Sequence, residues 1–276
     1  MPIDYLKKIH LREFDYDSYR FDPSSENASI IEGFYVFHKD TKENSHLIFN
    51  DGFPVLVFLQ NLNDSVVVKD GSAAFNIKSA WASAGPVKNV HVKYHGNMDQ
   101  LLVVRFFPGA FSKSFNLDHH YFKNFPVAPF YSICRGSFFS IDDFYALPSV
   151  CQRISYLNGY VAKSFKAQSG YEKFDSLLGY IQKIKGNCSV QNLAALLGVN
   201  YKWMERSFIQ NTGILPKDYI KLQRFFNAYV KLTATDNDLM EIALSNGYYD
   251  ANHFLKDFKA FTGRSPSQYF KPSIMA

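Results

Sequence analysis

LAALLGVNYKWMERSFIQNTGILPKDY (193–219) and IALSNGYYDANHFLKDFKAFTGRSPSQY (242–269) are two copies of one pattern. Phe208, Thr212, Gly213, Pro216 and Tyr219 return 50 positions later as Phe258, Thr262, Gly263, Pro266 and Tyr269. Upstream, Leu193-Ala194 stands ahead of Gly198 as Ile242-Ala243 stands ahead of Gly247. A fixed-period repeat of this kind marks one supersecondary unit used twice. Each copy reads as helix, Gly turn, helix. Ser189 is an N-cap residue for the first helix, VQNLAALL. The small Ala194 and Ala243 let a second helix cross closely, and each Gly supplies the positive φ of the turn. In the second helix of each copy, Met204 with Phe208 and Phe254 with Phe258 lie one turn apart and are expected to face the core. The other face carries Lys202, Glu205, Arg206 and Ile209 in copy one, and Asn252, Leu255, Lys256 and Lys259 in copy two. A short helix, a tight turn and a helix with a polar, partly basic face make a helix-turn-helix unit.

Between the copies, KDYIKLQRFFNAYVKL (217–232) is helical in character and follows Pro216, a residue suited to a helix start. One helix there would hold the two units at a fixed separation, and helices about 34 Å apart can enter successive major grooves. Upstream, the apolar residues between Ser140 and Lys166 recur at three- and four-residue steps, predicting one amphipathic helix or a pair broken at Pro148. Its apolar face can pack on its own domain or pair two chains. Ala167 to Gly170 reads as a linker. The first ~110 residues read as strands. IIEGFYVFHK (30–39), HLIFN (46–50), PVLVFLQNL (54–62), SVVVK (65–69), AAFNIK (73–78), KNVHVKYH (88–95) and QLLVVRFFP (100–108) are short, aromatic or β-branched, and separated by turn formers. Asn50-Asp51-Gly52 and Lys69-Asp70-Gly71 are the clearest turns, the second a tight hairpin.

The 276 residues are enough for two domains, and 27 Phe with 18 Tyr argue for filled cores. The net charge is +5, and residues 172–276 hold 13 Lys and Arg against 9 Asp and Glu, so most of the excess lies in the duplicated half. Cys134, Cys151 and Cys188 lack metal-site spacing and fit a reducing cytoplasm. The first residues are too charged for a signal peptide, and no apolar run is long enough to span a bilayer.

At the duplicated residues the chain resembles the AraC/XylS family of bacterial regulators, over roughly 172–271. The resemblance runs through Leu193-Ala194, Gly198, Met204, Arg206, Phe208, Gly213, Pro216, Tyr219, Arg224 and Ala228. It resumes at Ile242-Ala243, Gly247-Tyr248, Asp250, His253-Phe254, Phe258-Lys259, Gly263, Pro266 and Tyr269. It implies base-edge contacts from Lys202, Glu205 and Arg206, with Asn200 at the helix start, and from Ala251, Asn252 and Lys256 in the second helix. Asn200 stands where the family usually has Ser, and Ala251 is too short for a polar contact, though it can touch a thymine methyl. The segments 30–37, 50–58 and 101–111 are similar to a poorly characterised β domain found ahead of AraC-type DNA-binding domains. That similarity implies a regulatory or oligomerisation module with no known ligand.

Several residues allow two roles. Arg206 can bind guanine bidentately or pair with Glu205; Glu205 can accept from cytosine N4 or orient Arg206; Lys256 can hold a phosphate or a base. Arg224 can brace the two halves through an ion pair or touch a phosphate. Trp203 and His253 adjoin the core and read as packing residues. Arg105 is the candidate for an anionic effector, with a structural ion pair as its other reading. His91 and His95 have the wrong spacing for a cupin-type metal site. No motif supplies an acid–base pair, a nucleophile or a nucleotide-binding loop, so no catalytic residue, metal or cofactor is expected.

These readings predict an α+β chain of two domains. A β-barrel or jelly-roll-like domain covers 1–139, a helical connector and linker 140–171, and an all-α domain with two helix-turn-helix units joined by a helix 172–276. The expected function is a sequence-specific DNA-binding transcription regulator, in the activator mode, in the cytoplasm of a bacterium. The candidate partners are double-stranded promoter DNA, RNA polymerase, a small-molecule effector and a second copy of the chain. The alternative is a small-molecule-binding or enzymatic β-barrel whose helical half makes protein contacts.

Overall fold

The computed structural model describes residues 1–14, 18–38, 45–95, 98–118, 121–134, 139–164, 172–235 and 238–270. The expected linker Ala167 to Gly170 lies outside the described residues. Among the described residues ten strands follow one another as β1 (Ser18–Phe21), β2 (Ile31–His38), β3 (Ser45–Ile48), β4 (Val55–Phe58), β5 (Ser65–Asp70), β6 (Ala73–Lys78), β7 (Ala80–Ser83), β8 (Val90–Tyr94), β9 (Gln100–Phe106) and β10 (Val127–Pro129). They form two antiparallel sheets, a six-stranded one in the order β1-β2-β9-β4-β7-β10 and a four-stranded one in the order β3-β8-β5-β6. The barrel or jelly roll expected from sequence is therefore built as two sheets face to face, without closure into one ring.

Strand patterning explains this layering. In β2, β4 and β9 nearly every residue is apolar, and both faces are buried. Tyr35, Phe37, Val57, Trp81 and Val103 point at the four-stranded sheet, where Val66, Val68, Ile77, Val90 and Val92 meet them. On the other face Phe34, Val36, Leu56, Phe58 and Val104 pack under helices. β5 alternates, with Val66 and Val68 buried and Lys69 exposed, as expected of a strand with one wet face. The Lys69-Asp70-Gly71 turn is the predicted tight hairpin: Asp70 pairs with Ala73 across a two-residue loop.

Helix α1 (Ile3–Leu11) caps the sandwich at one end. On the helical face lie α2 (Pro108–Ser114), α3 (Tyr121–Asn124), α4 (Phe130–Ile133), α5 (Ile141–Ala146) and α6 (Val150–Ser164). The last two are the predicted pair separated around Pro148. Ile154, Leu157 and Val161 of α6 join the core of their own domain, so that apolar face is used within the chain.

The C-terminal region comprises α7 (Glu172–Lys183), α8 (Val190–Leu197), α9 (Tyr201–Thr212), α10 (Pro216–Ala234), α11 (Leu239–Ser245), α12 (Ala251–Thr262) and α13 (Pro266–Tyr269). Met204, Phe208, Phe254 and Phe258 are fully buried, as their spacing predicts. One hydrophobic core runs from the sandwich into these helices without a break. Phe49 of the β domain sits 5.5 Å from the Phe225 and Phe226 rings of α10 and 5.6 Å from Phe261 of α12. The backbone N–H of Asn89 donates to the Phe261 carbonyl at 2.8 Å, and Lys7 Nζ to the Thr233 carbonyl at 3.2 Å.

Candidate nucleic-acid interface

Local chemistry sets the start of each second helix. Asn200 Oδ1 accepts from the Trp203 N–H at 2.8 Å, and Asp250 Oδ1 from the His253 N–H at 2.7 Å. Both are N-caps that satisfy an otherwise orphaned backbone donor. Ser189 caps α8 as predicted, accepting from the Asn192 N–H at 3.1 Å. Gly198 and Gly247 adopt φ of +60° and +78°, the left-handed turns read from sequence. Asn200, placed at the helix start by family resemblance, thus spends its carbonyl oxygen on the cap and keeps its amide N–H₂ for other contacts.

The remaining candidates fall on two helix faces. Lys202 and Arg206 of α9 are exposed and lie one turn apart; Glu205 beside them is half-buried. In α12, Asn252 and Lys256 are exposed at the same spacing, and Ala251 is half-buried at the first turn. Trp203 packs against the core, and the exposed His253 ring meets Tyr248 edge-on at 5.3 Å. Helix α2 of the β domain lies against α9, so one flank of the first unit is covered.

Helix α10 fixes the two units relative to each other. Its 19 residues run about 28 Å at 1.5 Å per residue. Lys221 Nζ binds Asp257 Oδ1 of α12 at 2.7 Å, and Tyr248 donates to the buried Asp257 at 3.4 Å. Arg224 turns inward: its Nη2 donates to the Gly186 carbonyl at 3.2 Å and its guanidinium lies 5.6 Å from the Tyr248 ring. It braces the two halves through a carbonyl and a ring face, where a carboxylate partner was one of the expectations.

A cavity of about 650 Å³ opens where α1, the sheet and α10 meet. Its floor is Arg105, 4% exposed, held by Glu32 at 3.0 Å and bidentately by Asp51 at 3.0 and 3.2 Å. Phe53 covers the guanidinium at 4.6 Å. Burial alone would lower the Arg105 pKa, but Asp51 and Glu32 more than reverse this and raise it above its ordinary value. Tyr35 donates to Glu32 at 2.9 Å and accepts from Arg20 Nε at 3.3 Å; burial first, then the Glu32 charge, pushes its phenol up to about 12. Of its two sequence readings, Arg105 shows the structural ion pair, and its side chain also lines the cavity. The Asp51 backbone carbonyl also accepts from Gln223 of α10, which joins this ion cluster to the helix between the two units. Sequence reasoning missed the joint, apart from marking Asn50-Asp51-Gly52 as a turn.

His10 of α1 lies on the same joint, edge-on to Phe226 at 5.2 Å. Desolvation, aided by Lys185 and Arg105 and opposed by Asp51, lowers its pKa from 6.5. The folded state therefore favours neutral imidazole. Stability linked to His10 is complete above pH 6.5, falls as acid protonates the unfolded chain first, and levels once the folded imidazole is protonated too. Urea midpoints compared at pH 7.5 and 5.5 should drop more in the parent protein than in His10→Gln; equal drops would remove this residue from the acid response.

Paired helix-turn-helix units sharing one bracing helix, each turning basic side chains outward, define a double helix-turn-helix domain. Residues 193–272 match a helix-turn-helix domain family. Over 124 residues, 44% of the chain, it is 26% identical to an HTH-type transcriptional regulator of Staphylococcus aureus (strain MSSA476). The match spans only 17% of that relative's length. A raffinose operon transcriptional regulatory protein, RafR of Pediococcus pentosaceus, is 28% identical over 101 residues, 36% of each chain. Among solved structures, ToxT from Vibrio cholerae O395 is similar over 94% of this chain and 97% of its own, with 13% identity and a TM-score of 0.45. The C-terminal domain of the response regulator yesN from Fusobacterium nucleatum is 25% identical over 36% of this chain and all of its own, with a TM-score of 0.34. Among the described residues no group of three His, Cys, Asp or Glu is placed to hold a metal ion, and no helix is long and apolar enough to cross a membrane.

Proposed function

We propose that the chain is a sequence-specific DNA-binding transcription regulator acting on promoter DNA in the bacterial cytoplasm. One observation carries this: two helix-turn-helix units, built alike and joined by α10, leave Lys202, Arg206, Asn252 and Lys256 exposed at one-turn spacing on their second helices. Lys and Arg facing phosphates supply salt-dependent affinity, and a few side chains at base edges supply selectivity. Arg206 suits bidentate binding of guanine, with Lys202 and the half-buried Glu205 beside it. Asn252 suits adenine and Ala251 a thymine methyl, while Lys256 serves a phosphate. The amide of Asn200, at the mouth of α9, can reach a phosphate. The residue ranges 1–139, 140–171 and 172–276 serve as the regulatory domain, its connector and the DNA-binding domain.

Fluorescence anisotropy with promoter fragments at several salt concentrations tests the reading. Arg206→Ala is expected to weaken specific binding by about 1–3 kcal/mol and relax selection at one base pair. Lys256→Ala should weaken all duplexes alike and make the salt dependence shallower by about one unit of slope. A protein with no affinity for any duplex at low salt would end the proposal.

The cavity over Arg105 is the place for an effector. It lies between the sandwich and α10, and its floor is tied to α10 through Asp51 and Gln223. A ligand that engages Arg105 or Asp51 changes the contact that positions both units, which is how occupancy would alter DNA affinity. The apolar face of α6 is spent inside its own domain, so pairing of two chains through that face is not proposed.

A further inference from the structure

A second crevice has a volume of about 370 Å³. There the outer face of the four-stranded sheet meets the turn that follows α12. Lys69 of β5 and His91 of β8 are register partners on neighbouring strands, so their side chains emerge side by side on one face. Arg264 reaches the same crevice from the C-terminal domain, and Ser45 and Asn89 complete its rim. Its position is fixed by the main chain: the Asn89 N–H is bonded to the Phe261 carbonyl, and Gly263 abuts the Asn89 side chain. Three basic groups from two domains are thus held together, and among the described residues no carboxylate pairs with any of them. Asp70, next to Lys69, leaves the strand on the opposite face. Desolvation and the nearby Arg264 and Lys69 charges lower the His91 pKa, against the pull of the Asn89 carbonyl. Among the described residues the crevice holds cationic side chains without a paired carboxylate.

We propose that this crevice is a phosphate-binding subsite, in which Lys69, His91 and Arg264 together hold one phosphate group. The phosphate can belong to a DNA backbone or to a free phosphorylated small molecule. The first source rests on the DNA-binding reading. Helix α12, with 12 residues, is about 18 Å long, whereas the major groove is about 12 Å wide. If α12 lies across the groove with its first turns at the bases, its other end, where Arg264 stands, falls beside the phosphates bounding the groove. The β domain would then contribute Lys69 and His91 directly to the duplex, beyond what the two repeated units supply.

The test uses the full chain and Lys69→Gln/Arg264→Gln, two exposed changes whose folding is checked by circular dichroism. In one arm, inorganic phosphate is titrated while the His91 ring resonances are followed by NMR. A saturable shift in the parent protein that disappears in the double variant supports the subsite. In the other arm, the salt dependence of duplex binding is measured. A slope shallower by about two in the double variant, one for each cation removed, supports the subsite and identifies its phosphate as DNA. A phosphate-dependent shift with an unchanged slope supports the subsite and identifies a free phosphorylated ligand. No saturable shift together with an unchanged slope overturns it. If the parent protein binds no duplex, the DNA-binding reading fails, and the phosphate titration alone decides the crevice.

Discussion

Arg105→Ala is expected to lower the unfolding free energy by about 3 kcal/mol, the low end of what breaking a buried ion pair costs. The guanidinium is 4% exposed, whereas the side chains of Glu32 and Asp51 retain 24% and 14% of their surface, so water can partly compensate the stranded carboxylates. The loss also removes the cation from the Phe53 ring. Guanidinium denaturation measures the total. Adding Glu32→Gln and Asp51→Asn to the alanine variant should recover part of it, because uncharged partners need less solvation. A change below 1 kcal/mol in the single variant, with the same cooperativity, would mean that the cluster is solvated and contributes little. The readout also separates structure from function. If Arg105 only holds the fold, DNA affinity of the remaining folded protein is unchanged; if the cluster positions α10, affinity changes with it.

Gly52→Ala is expected to cost about 3 kcal/mol or more, and for two separable reasons. Gly52 has φ of +100°, a region that strains any side chain by about 1–3 kcal/mol. A Cβ there would also overlap the ring of Tyr219, a fully buried residue of α10 that cannot swing away. Overpacking of this kind adds about 1–3 kcal/mol. Repeating the change in a Tyr219→Leu background separates the two, since a smaller side chain relieves the overlap and leaves the backbone strain. Coupling between the positions well above about 0.5 kcal/mol is the expected result of such a cycle. Strict additivity would show that the sandwich and α10 do not touch here in solution.

The duplicated helices were legible because every signal for them is local. Caps, turn glycines and the one-turn spacing of Met204 with Phe208 all lie within a dozen residues of one another, and periodicity carries them. The strands of the six-stranded sheet were equally plain where both faces are apolar. Helix α1 was missed: nine residues with two lysines and a histidine carry a weak pattern, and Tyr5 and Leu6 are buried only because the sandwich receives them. The short strands β1, β7 and β10 escaped for a related reason, since AWAS and VAP hold too few residues to show a period. The joint at Asp51 could not be read at all. Its partners Arg105, Tyr219 and Gln223 are more than 50, 160 and 170 positions away, and nothing local in an Asn-Asp-Gly turn names them. The same holds for the Lys69, His91 and Arg264 group, which exists only through the docking of two domains.

The unbroken core between sandwich and helices has a consequence for how such chains can be recombined. Regulators with separable parts tolerate exchange of one part for another across a linker. Here a cut near residue 171 would carry Phe225, Phe226 and Phe261 into water on one fragment and Phe49 on the other. An aromatic patch of that kind favours self-association over solubility. A hybrid that keeps this C-terminal half would therefore need the surface that covers it, and the border between interchangeable parts lies inside the core.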